Sequence, residues 1–142
     1  IVRHYKKTGM NMEDFASKIV IHINDTHPAT AVAELMRILL DEEKMAWAQA
    51  WKITVNTIAY TNHTILPEAL EKWPVDMFKS LLPRIYMIIE EINQRLLDDV
   101  QERYLGDEGR IRECSILQDG YVHMARLAVV GSHSVNGVAK IH

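Results

Sequence analysis

Two short apolar runs, each closed by a polar cluster, constrain the fold of this chain more than any other feature. The first run occupies residues 18–23 and ends at Asn24-Asp25-Thr26-His27-Pro28, and the second occupies residues 58–61 and ends at Asn62-His63-Thr64. Runs of β-branched residues that stop at polar residues favour strands. The nearly continuous apolar character of the first run predicts a central strand that is buried on both faces.

Helices outnumber strands in the rest of the pattern. Apolar residues at helical spacing predict helices over 30–41, 46–57 and 83–104. A short helix is expected over 76–81, at most a short helix over 108–113, and an apolar helix over 122–130. A further strand is predicted over 134–138. Residues 1–17 are polar and mixed, and we expect a poorly ordered lead-in or an isolated helix there, followed by one domain over 18–142. Strands alternating with helices indicate an α/β fold with short, mostly parallel strands and flanking helices.

Composition and charge argue against several classes of function. The 16 lysine and arginine residues against 19 aspartate and glutamate residues give a net charge of −3, so there is no basic field for a nucleic acid. No run approaches the roughly 20 apolar residues of a membrane span. A single cysteine, Cys114, fits a reducing compartment, and the first residues contain no signal-peptide core, so we expect a cytoplasmic location.

Three polar clusters follow or flank the apolar runs: Asn24 to His27, Asn62 to Thr64, and Ser132 to Asn136. Parallel strands end on the same edge of a sheet, so these clusters are predicted to meet in one cleft. Asparagine, aspartate, threonine and histidine offer both donors and acceptors with little net charge. This mixture suits a polyhydroxyl ligand such as a sugar, whereas a nucleotide would need a glycine-rich phosphate loop or a lysine cluster.

Simpler interpretations of the same residues stay open. The Asn24 cluster can be a turn, because Asx and threonine side chains bond to nearby backbone, and His63 can be a buried structural histidine. His22 lies within the first strand, where a structural role is expected. Trp47 and Trp51 lie four residues apart, a spacing that favours packing in the core over a sugar platform.

Two other functional classes also remain. His22, His27 and His63, together with Asp25, have the ligand types of a zinc site, which would indicate a metal-dependent hydrolase, although no HExxH spacing supports it. A helical interaction module without any site is the other alternative. A serine or cysteine nucleophile has no GxSxG motif to support it.

Four motifs together resemble the α-glucan phosphorylases, the glycogen, starch and maltodextrin enzymes. They are Asn24-Asp25-Thr26-His27-Pro28 with Glu34-Leu35-Met36-Arg37, Ala59 to Thr64 with Leu66 to Pro74, Glu91-Ile92-Asn93-Gln94-Arg95, and Gly131 to Ala139. The resemblance covers residues 18–142 in unbroken order. The segment 117–124 is slightly shorter than in the animal enzymes, which resembles a bacterial glycogen or maltodextrin enzyme.

The resemblance implies a fold, a reaction and a cofactor. The family has two Rossmann-like halves of GT-B type, and this stretch is similar to the last part of the N-terminal half. The family cleaves the terminal α-1,4 bond of a glucan with phosphate and releases glucose 1-phosphate with retention. It uses pyridoxal phosphate, whose lysine belongs to the C-terminal half and is not in this chain.

Site residues are implied one by one by the same resemblance. His63 matches the histidine that hydrogen-bonds the glucose 6-hydroxyl, and its backbone carbonyl is expected near the developing charge at the anomeric carbon. Asp25 and His27 match the pair beside the anomeric side of the sugar. Asn24 and Thr64 flank these positions, and Val138 matches an apolar sugar contact. No acid or base is assigned among them.

The resemblance also sets expectations for the chain taken alone. Without the cofactor half, the isolated chain is expected to be inactive. Strand edges without partners and exposed apolar surface are expected to make the isolated chain self-associate. The expected partners of the parent enzyme are a glucan and phosphate. The allosteric regulation known in this family depends on segments outside this sequence, so neither regulation nor the preferred glucan follows from it.

Overall fold

A three-stranded parallel sheet organises the chain in the computed structural model, which describes residues 1–63 and 71–137. Its strands are β1 (Ile21–Asn24), β2 (Ile58–Asn62) and β6 (Ser134–Gly137). They lie in the order β1-β2-β6, and both neighbouring pairs are parallel. Parallel strands need a helical crossover between them, and the helices between β1 and β2 supply it. The prediction of a helix-rich α/β fold with short parallel strands is confirmed.

Eight helices make up most of the rest of the described chain. They are α1 (Val2–Lys7), α2 (Phe15–Lys18), α3 (Ala31–Arg37), α4 (Trp47–Thr57), α5 (Val75–Leu81), α6 (Pro83–Arg103), α7 (Glu108–Cys114) and α8 (Met124–Val130). A 3₁₀ turn at Met12–Asp14 precedes α2, and a π-helical turn at Ile38–Glu42 continues α3. The helices predicted over 30–41, 46–57, 76–81, 83–104 and 108–113 are confirmed to within about two residues, a normal boundary difference.

The first 17 residues are more ordered than the sequence indicated. Tyr5 in α1 and Phe15 in α2 are 4% and 0% exposed, and both belong to the hydrophobic core that the described helices share with the sheet. Their rings meet edge to face, with centroids 5.0 Å apart at 88°. The Tyr5 hydroxyl donates to the carbonyl of Asn11 at 2.6 Å. This segment is therefore neither a poorly ordered lead-in nor an isolated helix, because two aromatic side chains anchor it in the core.

Strand β1 differs from its prediction in position and in burial. Lys18, placed in the strand by the sequence, is the last residue of α2, and the strand begins at Ile21. Within the described residues β1 pairs only with β2, so its other side has no strand partner there. Ile23 is 2% exposed, whereas His22 between the two isoleucines is exposed. Only one face of the strand is thus covered by the described helices.

A second, antiparallel sheet was not predicted. Strands β3 (Lys72–Pro74), β4 (Leu117–Gln118) and β5 (Tyr121–His123) form it in the order β3-β5-β4. Asp119 and Gly120 connect β4 to β5 with φ of 54° and 81°. Two successive positive φ values are typical of a type I′ hairpin turn.

The helix predicted over 122–130 is shortened by this hairpin. Val122 is a fully buried strand residue, and α8 begins only at Met124. Gly131 ends α8, as its position after the apolar run predicts, although its φ of −87° is not left-handed. Among the described residues, no helix has the length and apolarity to cross a bilayer.

Candidate functional site

The carboxyl ends of β1 and β2 bring two polar loops to the same sheet edge. Asn24 lies opposite Thr61 in the parallel register. One residue further, the backbone N–H of Asp25 donates to the Thr61 carbonyl at 2.8 Å, which carries the pairing into the loop. The loops after β1 and β2 therefore start side by side, as the two polar stops in the sequence predict.

Asp25 ties the two loops together. Its φ is 58°, in the left-handed region that aspartate tolerates better than most residues. Its carboxylate Oδ1 accepts a hydrogen bond from the backbone N–H of His63 at 2.7 Å. The Asp25 side chain thus fixes the backbone of the neighbouring loop at the residue where β2 has just ended.

The imidazole of His63 lies at the same edge. Its Nε2 is 3.4 Å from Oδ1 of Asn24, a long contact, and the side chain is exposed. Asn24, Asp25 and His63 are therefore brought together from two strands 38 residues apart in sequence. An exposed imidazole beside a fixed amide and carboxylate can donate to, or accept from, the hydroxyls of a ligand.

His27 lies further along the loop after β1 and has a different neighbour. Its side chain is 86% exposed, and its Nδ1 is 4.0 Å from Oε2 of Glu71. In the sequence Glu71 stands only within a motif, and no role was predicted for it. Proximity between residues so far apart in the chain leaves no periodic signal, so the motif itself was the only available indication.

Burial raises the pKa of a tyrosine in β2, close to Asp25. Tyr60 in β2 is 2% exposed, and burial raises the pKa of its hydroxyl, with a further increase from the Asp25 carboxylate. The phenol therefore stays protonated at neutral pH. The neutral phenol therefore adds no charge near Asp25.

The third polar cluster does not join the other two as predicted. Ser132 and His133 precede β6, and the His133 N–H donates to the carbonyl of Ile58, the first residue of β2. Nδ1 of His133 lies 3.0 Å from the Val55 carbonyl in α4. Ser132 and His133 therefore lie at the opposite end of the parallel strands, where β2 begins. Only the end of β6 reaches the candidate site, where Asn136 pairs with Thr61.

The remaining candidates take other positions. Nε2 of His22 is 2.6 Å from the Thr61 hydroxyl, so this histidine is held across the sheet, in agreement with a structural role. Thr64 and Val138 lie outside the described residues. Within 1–63 and 71–137, no three histidine, cysteine, aspartate or glutamate side chains are grouped closely enough to hold a metal ion.

The tryptophans pack where helical spacing predicted them. Trp47 and Trp51 are partly buried against the core, with ring centroids 6.4 Å apart and planes 15° from parallel. The Arg95 guanidinium covers Trp47 at 4.9 Å from its ring centroid. These contacts agree with the interpretation of the two rings as core residues.

Comparison with known proteins supports one family. The carbohydrate phosphorylase family profile matches residues 1–142. The chain is 63% identical over 142 residues to a glycogen phosphorylase of Bacillus subtilis. It is 53% identical over 153 aligned positions to the muscle form of Bos taurus and 51% identical to the brain form of Homo sapiens. In each case all of this chain aligns, and it spans 18% of the relative's length.

Proposed function

Because the chain belongs to the carbohydrate phosphorylase family, we propose that it forms part of the substrate cleft of an α-1,4-glucan phosphorylase. The reaction would transfer the terminal glucose of the glucan to phosphate and release glucose 1-phosphate with retention. The glucan and phosphate are the partners of the parent enzyme, and its location is the cytoplasm. The higher identity to the Bacillus relative than to the animal forms supports a bacterial type of enzyme.

The hydrogen bond from the His63 N–H to the Asp25 carboxylate is the main support for this proposal. The 2.7 Å hydrogen bond fixes the backbone N–H of His63, so Asp25 holds the start of the loop that carries the imidazole. In the proposed complex the imidazole bonds the glucose 6-hydroxyl. The backbone carbonyl lies near the anomeric carbon, where a preorganised dipole stabilises developing positive charge. Asp25 acts on the sugar mainly through His63.

The other proposed contacts surround this pair. Asn24 and His27 border the sugar from the loop after β1. Thr64 and Val138, which lie outside the described residues, are proposed as further sugar contacts on the family resemblance alone. The parent fold is a GT-B arrangement of two Rossmann-like halves, and residues 18–142 belong to the N-terminal half. Residues 1–17 belong to the same domain, because Tyr5 and Phe15 share its core.

Pyridoxal phosphate, which family membership implies, does not fit the residues gathered at this edge. The cofactor is attached to proteins through a lysine Schiff base. The side chains grouped in the two loops are Asn24, Asp25 and His63, with His27 beside Glu71, and none of them can form that bond. The cofactor is therefore assigned to the other half of the parent enzyme, and no step on these residues passes through it.

Substitution of His63 tests the proposed function. In a phosphorylase that carries this segment, His63→Ala should lower kcat/KM for maltoheptaose by at least about tenfold, because a hydrogen bond made in the transition state is lost. Initial rates of glucose 1-phosphate release measure the effect. His4→Ala is the matched control, since His4 is exposed on α1. A folded His63→Ala enzyme with the parent kcat/KM would remove His63 from the site.

Self-association of the 142-residue chain is a further part of the proposal. The exposed edge of β1 and apolar side chains such as Val20, 68% exposed, offer surface to a second copy. Light scattering at two concentrations should give a mass above 16.4 kDa, and Val20→Lys should lower it. A mass of 16.4 kDa at both concentrations would contradict this expectation.

A further inference from the structure

The carboxylate of Glu71 lies between the indole of Trp73 and the imidazole of His27. We propose that Glu71 is a positioning residue that fixes the tautomer of His27, so that Nε2 of the imidazole faces the glucan as a hydrogen-bond acceptor. The assignment of the ligand as a glucan rests on the proposed function. The assignment of the tautomer rests on the contacts of Glu71 alone.

Glu71 is anchored at two points that leave one oxygen unused. Its Oε1 accepts a hydrogen bond from Nε1 of Trp73 at 2.9 Å. Its backbone carbonyl accepts from the N–H of Met124, the first residue of α8, at 3.2 Å. These two bonds fix the backbone and one carboxylate oxygen, and they direct the other oxygen toward the loop after β1.

The remaining oxygen, Oε2, needs a donor. It is shielded from solvent and accepts no hydrogen bond within the described part of the chain. A shielded polar atom without a partner is unfavourable, and more so on a charged group. Nδ1 of His27 is 4.0 Å away, so a movement of about 1 Å would bring it to hydrogen-bond distance. The His27 side chain is 86% exposed and has room for this movement.

A hydrogen bond between Nδ1 of His27 and Oε2 of Glu71 determines whether Nε2 of the imidazole donates or accepts. A carboxylate only accepts, so Nδ1 must carry the proton. In a neutral ring the other nitrogen, Nε2, then holds a lone pair on the opposite side of the imidazole, away from Glu71. A glucan hydroxyl that approaches His27 would meet an acceptor. Without Glu71 either tautomer could form, and this selectivity would be lost.

Glu71→Gln gives a sharp test because Trp73 favours one orientation of the new amide. The Trp73 N–H can only donate, so it favours the glutamine carbonyl oxygen in the place of Oε1 and the amide NH₂ in the place of Oε2. The NH₂ group donates, so Nδ1 of His27 must now accept and the proton must move to Nε2. The substitution thus keeps the shape of the side chain and reverses the predicted tautomer.

Long-range ¹H–¹⁵N NMR of the 142-residue chain at about pH 8.5, where an ordinary histidine is neutral, distinguishes the two tautomers. The parent chain should show mainly the Nδ1–H form of His27, and Glu71→Gln should show mainly the Nε2–H form. Glu102→Gln, at an exposed position on α6, should match the parent. Glu71→Ala should give a mixture, which provides a second variant if Glu71→Gln fails to fold. An unchanged His27 tautomer in folded variants would overturn the positioning role.

Kinetics of the full phosphorylase separate this inference from the proposed function. Glu71→Gln should raise KM for maltoheptaose about fivefold, as expected for one lost hydrogen bond, with a smaller change in kcat. A reversed tautomer together with an unchanged KM would keep Glu71 as the positioning residue and overturn the glucan as the ligand of His27. A parent-like His63→Ala enzyme would instead overturn the proposed function and leave the tautomer result intact.

Discussion

Replacing Phe15 with alanine is expected to lower the free energy of unfolding by about 3–5 kcal/mol, the usual cost of truncating a buried phenylalanine. Phe15 is 0% exposed, packs edge to face against Tyr5, and belongs to the same core as the helices that support the sheet. The substitution removes the ring from that core and leaves a cavity. Urea unfolding followed by circular dichroism measures the change.

Met10 provides the matched control for Phe15. It lies in the same segment but is 49% exposed, so Met10→Ala should change the free energy of unfolding by less than about 0.5 kcal/mol. A loss of less than about 1 kcal/mol for Phe15→Ala would mean that residues 1–17 are not held in the core, as the sequence alone had indicated.

Gly131→Ala is expected to destabilise the chain by about 3 kcal/mol, at the upper end of overpacking effects. A Cβ atom at Gly131 would lie 2.4 Å and 2.7 Å from the two γ-methyl carbons of Val32 in α3. Val32 is 0% exposed and cannot move into solvent. The backbone of Gly131, with φ of −87°, accepts alanine without strain, so the cost is a steric one.

A double-mutant cycle separates this clash from other effects of the substitution. Val32→Ala removes both γ-methyl groups, and the methyl group introduced by Gly131→Ala would then occupy part of the space they leave. The double variant should therefore be more stable than the sum of the two single changes predicts, by about 1 kcal/mol or more. Additive free energies of unfolding would show that Gly131 and Val32 do not interact as the structure indicates.

The sheet and the long helices could be predicted because their signals are local. The apolar run before Asn62 and the helical periodicity over α4 and α6 each lie within one element, and the run before Asn24 ends in β1. The polar stops also indicated the correct sheet edge for the first two clusters. Physical rules about parallel strands were enough to bring Asn24, Asp25 and His63 together.

Other features depend on boundaries that the sequence does not define. The prediction put Ser132 and His133 at the wrong edge because polar residues on either side of a short strand look alike. The hairpin turn at Asp119 and Gly120 did carry a signal, since Asp-Gly is typical of type I′ turns. The apolar run that begins at Val122 is longer than this turn signal and led to the prediction of a helix. The strand that contains Val122, β5, is only three residues long.

The individual roles at the site were the hardest to predict. A side chain that binds a backbone N–H on another strand, as Asp25 does, leaves no mark on composition or periodicity. The resemblance to a family indicated which residues matter, and the structure adds which groups contact one another. The sugar contacts of His63 and His27 remain predictions.

The order of strands along the chain has a consequence for how the site is assembled during protein synthesis. Thirty-seven residues separate Ile21 from its partner Ile58, whereas seventy-five separate Tyr60 from its partner Val135. At about 5–20 residues per second, β6 leaves the ribosome roughly 4–15 seconds after β2. Strands β1 and β2 can pair during that interval, and the bond from His63 to Asp25 needs only those two strands. The two loops of the candidate site can therefore be joined on a nascent chain before β6, the third strand of the parallel sheet, has left the ribosome.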